Sequence, residues 1–412
     1  MILLACLHSV SVKGQEADTA ACSHWGYEAE VQAGRVLVLD RFQKSYMRHM
    51  SDYSAALKIN HVSLPSDSDA YAHDYGYPTF SVALKYSKND RASMYRPLDY
   101  PSGNITLADY TTHLGNSCAL FGSFSVPLLR NRRWEIDVTG NLGLAYSDRK
   151  YSKIHNVDND MVGSHMLFYA GGGASATYRF AHQWGLKAGI DYWHISNGST
   201  SQPNRSVNVL GPTLGVVYYP YYQKLLDECN TYVPETFPKY WYFNLKAGVG
   251  VRRCLEDWDY YQYKIDMSDP DYRKEDFNRY MCFSFQGDIM YRYARIAAIG
   301  AGVDVMYGSY YKHLRWIDEV QDKRCPHSPW SVALAAKHTL FYGNVSLALG
   351  LGVYLFREMG DFSNRHDLPF YNRIGVHYTM PRLADLTVGV EVKAHLSKAD
   401  FTEFVVSWPI RL

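Results

Sequence analysis

Trp134-Glu-Ile-Asp-Val-Thr-Gly-Asn-Leu-Gly-Leu-Ala-Tyr146 alternates with a period of two. Its even positions are Trp134, Ile136, Val138, Gly140, Leu142, Leu144 and Tyr146, and its odd positions are Glu135, Asp137, Thr139, Asn141, Gly143 and Ala145. Successive side chains of an extended chain point to opposite faces, so this stretch is a strand with one apolar and one polar face. The same alternation runs through Val345–Leu355, where every odd residue is Val or Leu, and through Leu386–Leu396, where Leu386, Val388, Val390, Val392, Ala394 and Leu396 share one row. Strands of this length exceed the usual soluble strand of about five or six residues. They match the roughly 9–11 residues that a tilted strand needs to cross a bilayer.

Outward from these stretches, strands are expected near 25–37, 52–61, 77–87, 115–128, 133–146, 166–179, 183–196 and 207–221. A second set is expected near 240–252, 279–293, 295–307, 329–341, 344–356, 370–381, 384–396 and 401–412. Tight turns at Asn131-Arg132, Ala181-His182, Tyr342-Gly343 and Arg382-Leu383 alternate with long polar loops at 87–114, 147–165, 253–278, 308–328 and 356–369. Short turns at one end and long loops at the other are the pattern of an outer-membrane barrel. Connections 62–76 and 222–239 are long on the short-turn side, and the second reads as a linker between two halves. The expected fold is all-β, a transmembrane antiparallel barrel system of about sixteen strands. It closes either as one barrel or as two eight-stranded barrels. The segments are a signal-like stretch at 1–18, a barrel region at 19–221, the linker at 222–239 and a second barrel region at 240–412.

Composition agrees. Among 412 residues, 42 are Lys or Arg and 41 Asp or Glu, which argues against a nucleic-acid partner. Tyr, at 36, outnumbers the 17 Phe and 9 Trp together. No run approaches the ~20 apolar residues of a spanning helix. Met1–Val12 has the apolar core of a secretory signal without a basic start, and Leu3-Leu-Ala-Cys6 has a lipobox-like string with only five residues before the Cys. The seven Cys show neither a CxxC pair nor zinc-type spacing, so no metal site is expected. Gly171-Gly-Gly173 lies inside a strand pattern and lacks the following Lys-Ser/Thr of a phosphate loop. The loop at 255–278, dense in Asp, Glu, Tyr and Lys, reads as a solvated loop. No cofactor is expected.

Chemistry is expected at Asp191-Tyr-Trp-His-Ile-Ser-Asn-Gly198 and the residues that follow, to Gly211. His194 and Ser196 are two apart on a strand and so share a face, with Cα atoms about 6.6 Å apart. That spacing lets an imidazole serve a serine hydroxyl as base. Asn197 and Gly198 follow with a side-chain amide and a backbone N–H suited to an oxyanion. Parity puts His194 and Ser196 in the row of Trp184, Leu186, Ala188, Ile190 and Tyr192, the apolar, lipid-facing row. Asn208 begins the equivalent row of the next strand. Asp191 has the opposite parity. His395-Leu-Ser397 is a second His-x-Ser string, and the stretches 184–196 and 385–397 read as a weak internal repeat. His395 shares the row of Glu391 and Lys393, so it is expected in the lumen with a structural role.

His-x-Ser-Asn with Pro203-Asn204 beyond it, inside an outer-membrane barrel, resembles the lipid A 3-O-deacylases (PagL type) and their longer acyloxyhydrolase-like relatives. The likeness is strongest over 133–221. Asn159-Asp-Met-Val-Gly-Ser-His165, Phe370-Tyr-Asn-Arg-Ile-Gly375 and Lys398-Ala-Asp-Phe401 are similar to the longer members. The resemblance implies Ser196 as nucleophile, His194 as base and position 208 as the residue that orients the base. The family pattern has Glu there and this chain has Asn208, which accepts an imidazole N–H but offers no charge to an imidazolium. It implies an esterase in the bacterial outer membrane, acting on an ester-linked acyl chain of lipid A or lipopolysaccharide. The alternative is a catalytically weak barrel with a structural, adhesion or pore role.

Overall fold

The protein is described here as a computed structural model covering residues 24–38, 41–95, 112–396 and 398–412. The signal-like stretch, Cys6, Cys22, Ser397 and most of the 87–114 loop lie outside the described residues. Sixteen long strands build the molecule. The first eight are β1 (Trp25–Val36), β2 (Ser51–Val62), β3 (Thr79–Lys88), β4 (Ser117–Arg130), β5 (Trp134–Ser147), β6 (Met166–Arg179), β7 (Trp184–Ser196) and β8 (Val207–Tyr218). The second eight are β9 (Tyr240–Arg252), β10 (Tyr280–Ala294), β11 (Ala297–Gly308), β12 (His327–Tyr342), β13 (Val345–Met359), β14 (Phe370–Met380), β15 (Leu386–His395) and β16 (Lys398–Arg411). Each expected strand is present, with ends moved by a few residues where the backbone turns. β3 starts at Thr79 because Tyr77 is left-handed at φ 60°, and β4 starts at Ser117 because Gly115 sits at φ 87°.

Of the two closures open to the sequence, the structure takes two barrels of eight antiparallel strands. β1 closes on β8 through Tyr27↔Tyr218, Val31↔Leu214 and Val36↔Val209. β9 closes on β16 through Tyr242↔Arg411 and Val251↔Thr402. An eight-stranded lumen is just wide enough for side chains to meet across it, and they do. In the first barrel Lys58 Nζ reaches Glu28 at 2.9 Å and Lys187 Nζ reaches the same carboxylate at 3.1 Å. Lys85 Nζ pairs with Asp191 at 3.1 Å and donates to Gln32 at 2.8 Å. In the second, Lys337 bridges Asp304 and Gln286, both at 2.7 Å, while Lys246 pairs with Glu391 and Arg373 with Glu403. The polar rows of the strands therefore meet inside.

The opposite rows form the outer surface. Leu57, Leu186, Ile190, Leu214, Leu351, Leu355 and Phe404 are all more than half exposed, an apolar belt suited to hydrocarbon. Aromatic pairs edge the belt at the turn end: Trp134 with Tyr178 at 5.1 Å, Trp184 with Tyr218 at 4.9 Å and Trp241 with Tyr291 at 4.8 Å between ring centres. Tyr53, Tyr86 and Tyr146 are exposed at the loop end. Such girdles mark both interfaces of membrane barrels, and they absorb many of the tyrosines.

Both over-long connections at the turn end have packing roles. The segment between β2 and β3 carries a short helix, Ala70–Asp74, and reaches the second barrel. Tyr342 Oη donates to Asp69 at 2.6 Å, Arg295 Nε pairs with Asp74 at 3.1 Å and Arg292 Nη2 donates to Tyr71 at 3.2 Å. The connection after β8 carries the helix Tyr222–Glu228, and Tyr222 lies under the Arg179 guanidinium at 3.9 Å. At the loop end the barrels touch again, where Tyr151 packs edge-on against Trp258 and donates to the Arg273 carbonyl at 2.8 Å.

Candidate active site

The last residues of β7 lie at the loop rim. Register places His194 directly opposite Asn208 of β8 and Ser196 opposite Phe168 of β6. Cross-strand neighbours have Cβ atoms about 4.5–5.5 Å apart, close enough for side chains to join. His194 Nδ1 lies 2.8 Å from Asn208 Oδ1, and Tyr192 Oη donates to the same oxygen at 2.7 Å. Asn208 Nδ2 points the other way, donating to Ser206 Oγ at 3.4 Å. An amide oxygen only accepts, so Nδ1 carries the imidazole proton and Nε2 keeps its lone pair.

The row bearing these residues is the outward one, since Leu186, Ala188 and Ile190 are exposed while Lys187 and Trp193 are buried. At the rim that changes: Ser196 and Asn208 face outward yet are buried, and His194 is half-buried. Ser196 Oγ makes no side-chain hydrogen bond among the described residues. Asp191 lies in the lumen on Lys85, as its parity requires. His395 also faces the lumen, its Nε2 3.0 Å from Tyr354 Oη.

The connection from β7 to β8 is held from several sides. The Asn197 carbonyl accepts from Thr200 N at 3.2 Å and Thr200 Oγ1 at 2.8 Å, and the Asn197 N–H donates to Asn204 Oδ1 at 3.0 Å. Gly198 and Ser199 are left-handed at φ 62° and 68°. A Cβ on Gly198 would stand 2.2 Å from Thr402 Oγ1 and 3.0 Å from the Phe168 ring, so only glycine fits there. The segment 159–165 buttresses the far side. Ser201 Oγ donates to the Gly163 carbonyl at 3.0 Å, Ser206 N to the Met161 carbonyl at 3.1 Å and Arg205 N to the Asp160 carbonyl at 3.1 Å.

Two donors are left over. Asn197 Nδ2 is buried without an acceptor, and the Gly198 N–H has none among the described residues. A buried donor is rarely left unpaired, which singles out the Asn197 amide. His194, Ser196, Asn208, Asn197 and Gly198 thus come together at one rim. Sequence reasoning missed three supports. Tyr192 reads as one more apolar-row residue, although its hydroxyl is the signal. Asn204 was visible only as part of Pro-Asn, without a role. Thr402 belongs to the other barrel, 204 residues away from Gly198, and no local pattern points to it.

Two family models match the chain: lipid A 3-O-deacylase (PagL) over residues 78–217 and acyloxyacyl hydrolase, C-terminal domain, over residues 241–412. Among solved structures, the chain is similar to the outer membrane enzyme PagL at 14% identity and a TM-score of 0.28, covering 46% of this chain and 97% of that one. A mutant Rh. blastica porin follows at 8% identity and a TM-score of 0.17, covering 94% and 99%. The NanC porin gives 6% and 0.16, covering 93% and 99%. Overlaps this loose carry no argument; the two family models do. No curated protein matches the chain.

Proposed function

The chain belongs to the lipid A 3-O-deacylase (PagL) family, with an acyloxyacyl hydrolase C-terminal domain as its second half, and from that premise we propose that it is an outer-membrane esterase removing an ester-linked acyl chain from lipid A. The observation that carries the reading is the His194–Asn208 pair with its proton on Nδ1, two residues from Ser196 and beside two unpaired donors. In this reading the Ser196 hydroxyl turns to His194 Nε2, the imidazole nitrogen left free by Asn208. His194 takes that proton as Ser196 Oγ attacks the ester carbonyl. Asn197 Nδ2 and the Gly198 N–H receive the oxyanion. As the tetrahedral intermediate collapses, the acyl C–O bond to the sugar breaks and His194 gives the proton to the departing sugar oxygen, which leaves as a hydroxyl. Water, activated by the same imidazole, then releases the acyl chain as a carboxylic acid.

The rim position supports a lipid substrate. The row of His194 and Ser196 continues the exposed Ile190–Leu186 belt, so the buried Ser196 lies at the end of a surface suited to hydrocarbon. The first barrel's lumen, bridged by Lys58, Glu28 and Lys187, offers no such surface. One observation favours a slow enzyme or a non-catalytic barrel. Asn208 is neutral, so the imidazolium formed during attack gains no charge partner from it. Lipid A mass spectra from cells with and without the protein decide the matter. The reading expects loss of one acyl chain's mass, absent in cells making Ser196→Ala at equal membrane levels. Identical spectra in all three cultures would remove it.

A further inference from the structure

The second barrel touches the site at the 197–202 turn. Thr402, on the outward row of β16, donates from Oγ1 to the Gly198 carbonyl at 2.9 Å. Arg253, just past β9, donates its N–H to the Ser199 carbonyl at 2.9 Å, and its own carbonyl accepts from Gln202 Nε2 at 2.8 Å. Ser199 Oγ also donates to that carbonyl, at 3.3 Å. Consecutive carbonyls of the turn are therefore fixed by the neighbouring barrel. They belong to residues in left-handed backbone conformations, which a non-glycine residue such as Ser199 adopts only at a cost.

From these contacts we infer that the second barrel completes the active site, with Thr402 as a positioning residue that sets the oxyanion donors Asn197 and Gly198. Thr402 itself touches neither substrate nor reacting atoms. Its hydroxyl fixes the Gly198 carbonyl, hence the ψ of Gly198, and the strained Gly198–Ser199 pair keeps its geometry only while something outside the turn holds it. The three further contacts at Arg253 use backbone atoms on one side, so Thr402 is the side chain through which this clamp can be altered. The idea rests on the esterase reading for its catalytic meaning, but not for its structural content. It also gives the second half of the chain a role, since the Gly198 and Ser199 carbonyls find their partners on the second barrel.

The test uses the full-length protein refolded in lipopolysaccharide-containing micelles. Thr402→Val removes the donor at nearly constant volume, and Thr402→Ser keeps it. Ester hydrolysis is expected to lose about tenfold in kcat with Thr402→Val while KM stays within twofold, since a donor displaced by a fraction of an ångström weakens transition-state more than ground-state contacts. Thr402→Ser should restore most of the rate. Amide hydrogen exchange over 197–202 should speed up in Thr402→Val and not in Thr402→Ser. Unchanged exchange in Thr402→Val overturns the inference whatever the activity, as does equal damage from both variants. If wild type hydrolyses no ester yet exchange responds as expected, the clamp stands and the esterase reading falls.

Discussion

The two barrels share strand number, closure and a charged lumen, yet they differ where chemistry needs them to. Both halves of the sequence carry a His-x-Ser string at the end of the seventh strand: β7 runs to Ser196, and β15 ends at His395. In β7 the histidine lies in the outward row and meets Asn208; in β15 it lies in the lumen row and meets Tyr354. Outside, a histidine at the rim adjoins the apolar belt. Inside, it is one more member of a filled lumen. Because the side-chain period is two, a one-residue difference in facing separates a candidate base from a packing residue. The interiors differ as well. A cavity of about 30 Å³ lies in the first barrel, and the second holds one of about 320 Å³ toward its turn end, lined by Lys246, Asp288, Arg292 and His377. The first barrel is a rigid support for an external site. The second reaches that site from outside, through Thr402 and Arg253.

The sharpest way to break this comparison is to treat both histidine strings alike. Ser196→Ala should lower lipid A ester hydrolysis by about a thousandfold or more, since losing the nucleophile of a coupled pair removes most of the rate. His395→Ala should leave the rate per folded molecule unchanged, because His395 lies in the other lumen. Mass-spectrometric rate measurements on purified, folded protein check both. Comparable losses in the two variants would mean the barrels are not divided as described.

Next in size is Gly198→Ala. The added methyl would sit 2.2 Å from Thr402 Oγ1 at a φ of 62°. The turn must shift, and an expected loss of about a hundredfold follows from the oxyanion donors moving with it. Folding should survive, since the barrel ladders are untouched; the compact band on an unheated gel reports that.

Asn208 gives a smaller effect of either sign. Its Oδ1 already accepts from His194 and from Tyr192, at 2.8 and 2.7 Å. In Asn208→Glu a carboxylate replaces it and stabilises the imidazolium by roughly one to a few kcal/mol, worth about tenfold in rate. Asn208→Leu leaves Nδ1–H unpaired and should cost a similar factor. Steady-state kcat for the three proteins is the measurement, and no difference among them would make 208 a bystander.

Smallest is Tyr342→Phe at the opposite end of the barrel contact. It removes the 2.6 Å bond to Asp69, worth about 1 kcal/mol. The temperature at which the compact band disappears should fall by a few degrees while kcat stays constant. A change in kcat would show that the turn-end contact also acts on the site, and would weaken the distinction between a clamp on the turn and mere attachment of two barrels.

Period-two alternation is a local property of the chain, and it determined sixteen strands, their facing and the outward row shared by His194, Ser196 and Asn208. The ten residues between Ser196 and Val207 brought the base and Asn208 opposite each other, because a short connection leaves antiparallel neighbours little freedom of register. Strand ends were less legible, since they depend on single left-handed residues such as Tyr77 and Gly115. Closure was not legible at all. Whether β1 meets β8 or another strand depends on hydrogen bonds between residues some 190 positions apart, such as Tyr27 and Tyr218, and on whether lumen charges find partners across the space. Lys85 of β3 finds Asp191 of β7 only in a narrow barrel. The tertiary structure alone decided that Tyr192 and Asn204 are polar supports rather than belt and loop residues. It alone set Thr402 against Gly198, because contact between two closed barrels is fixed by their packed surfaces and leaves no period in the sequence.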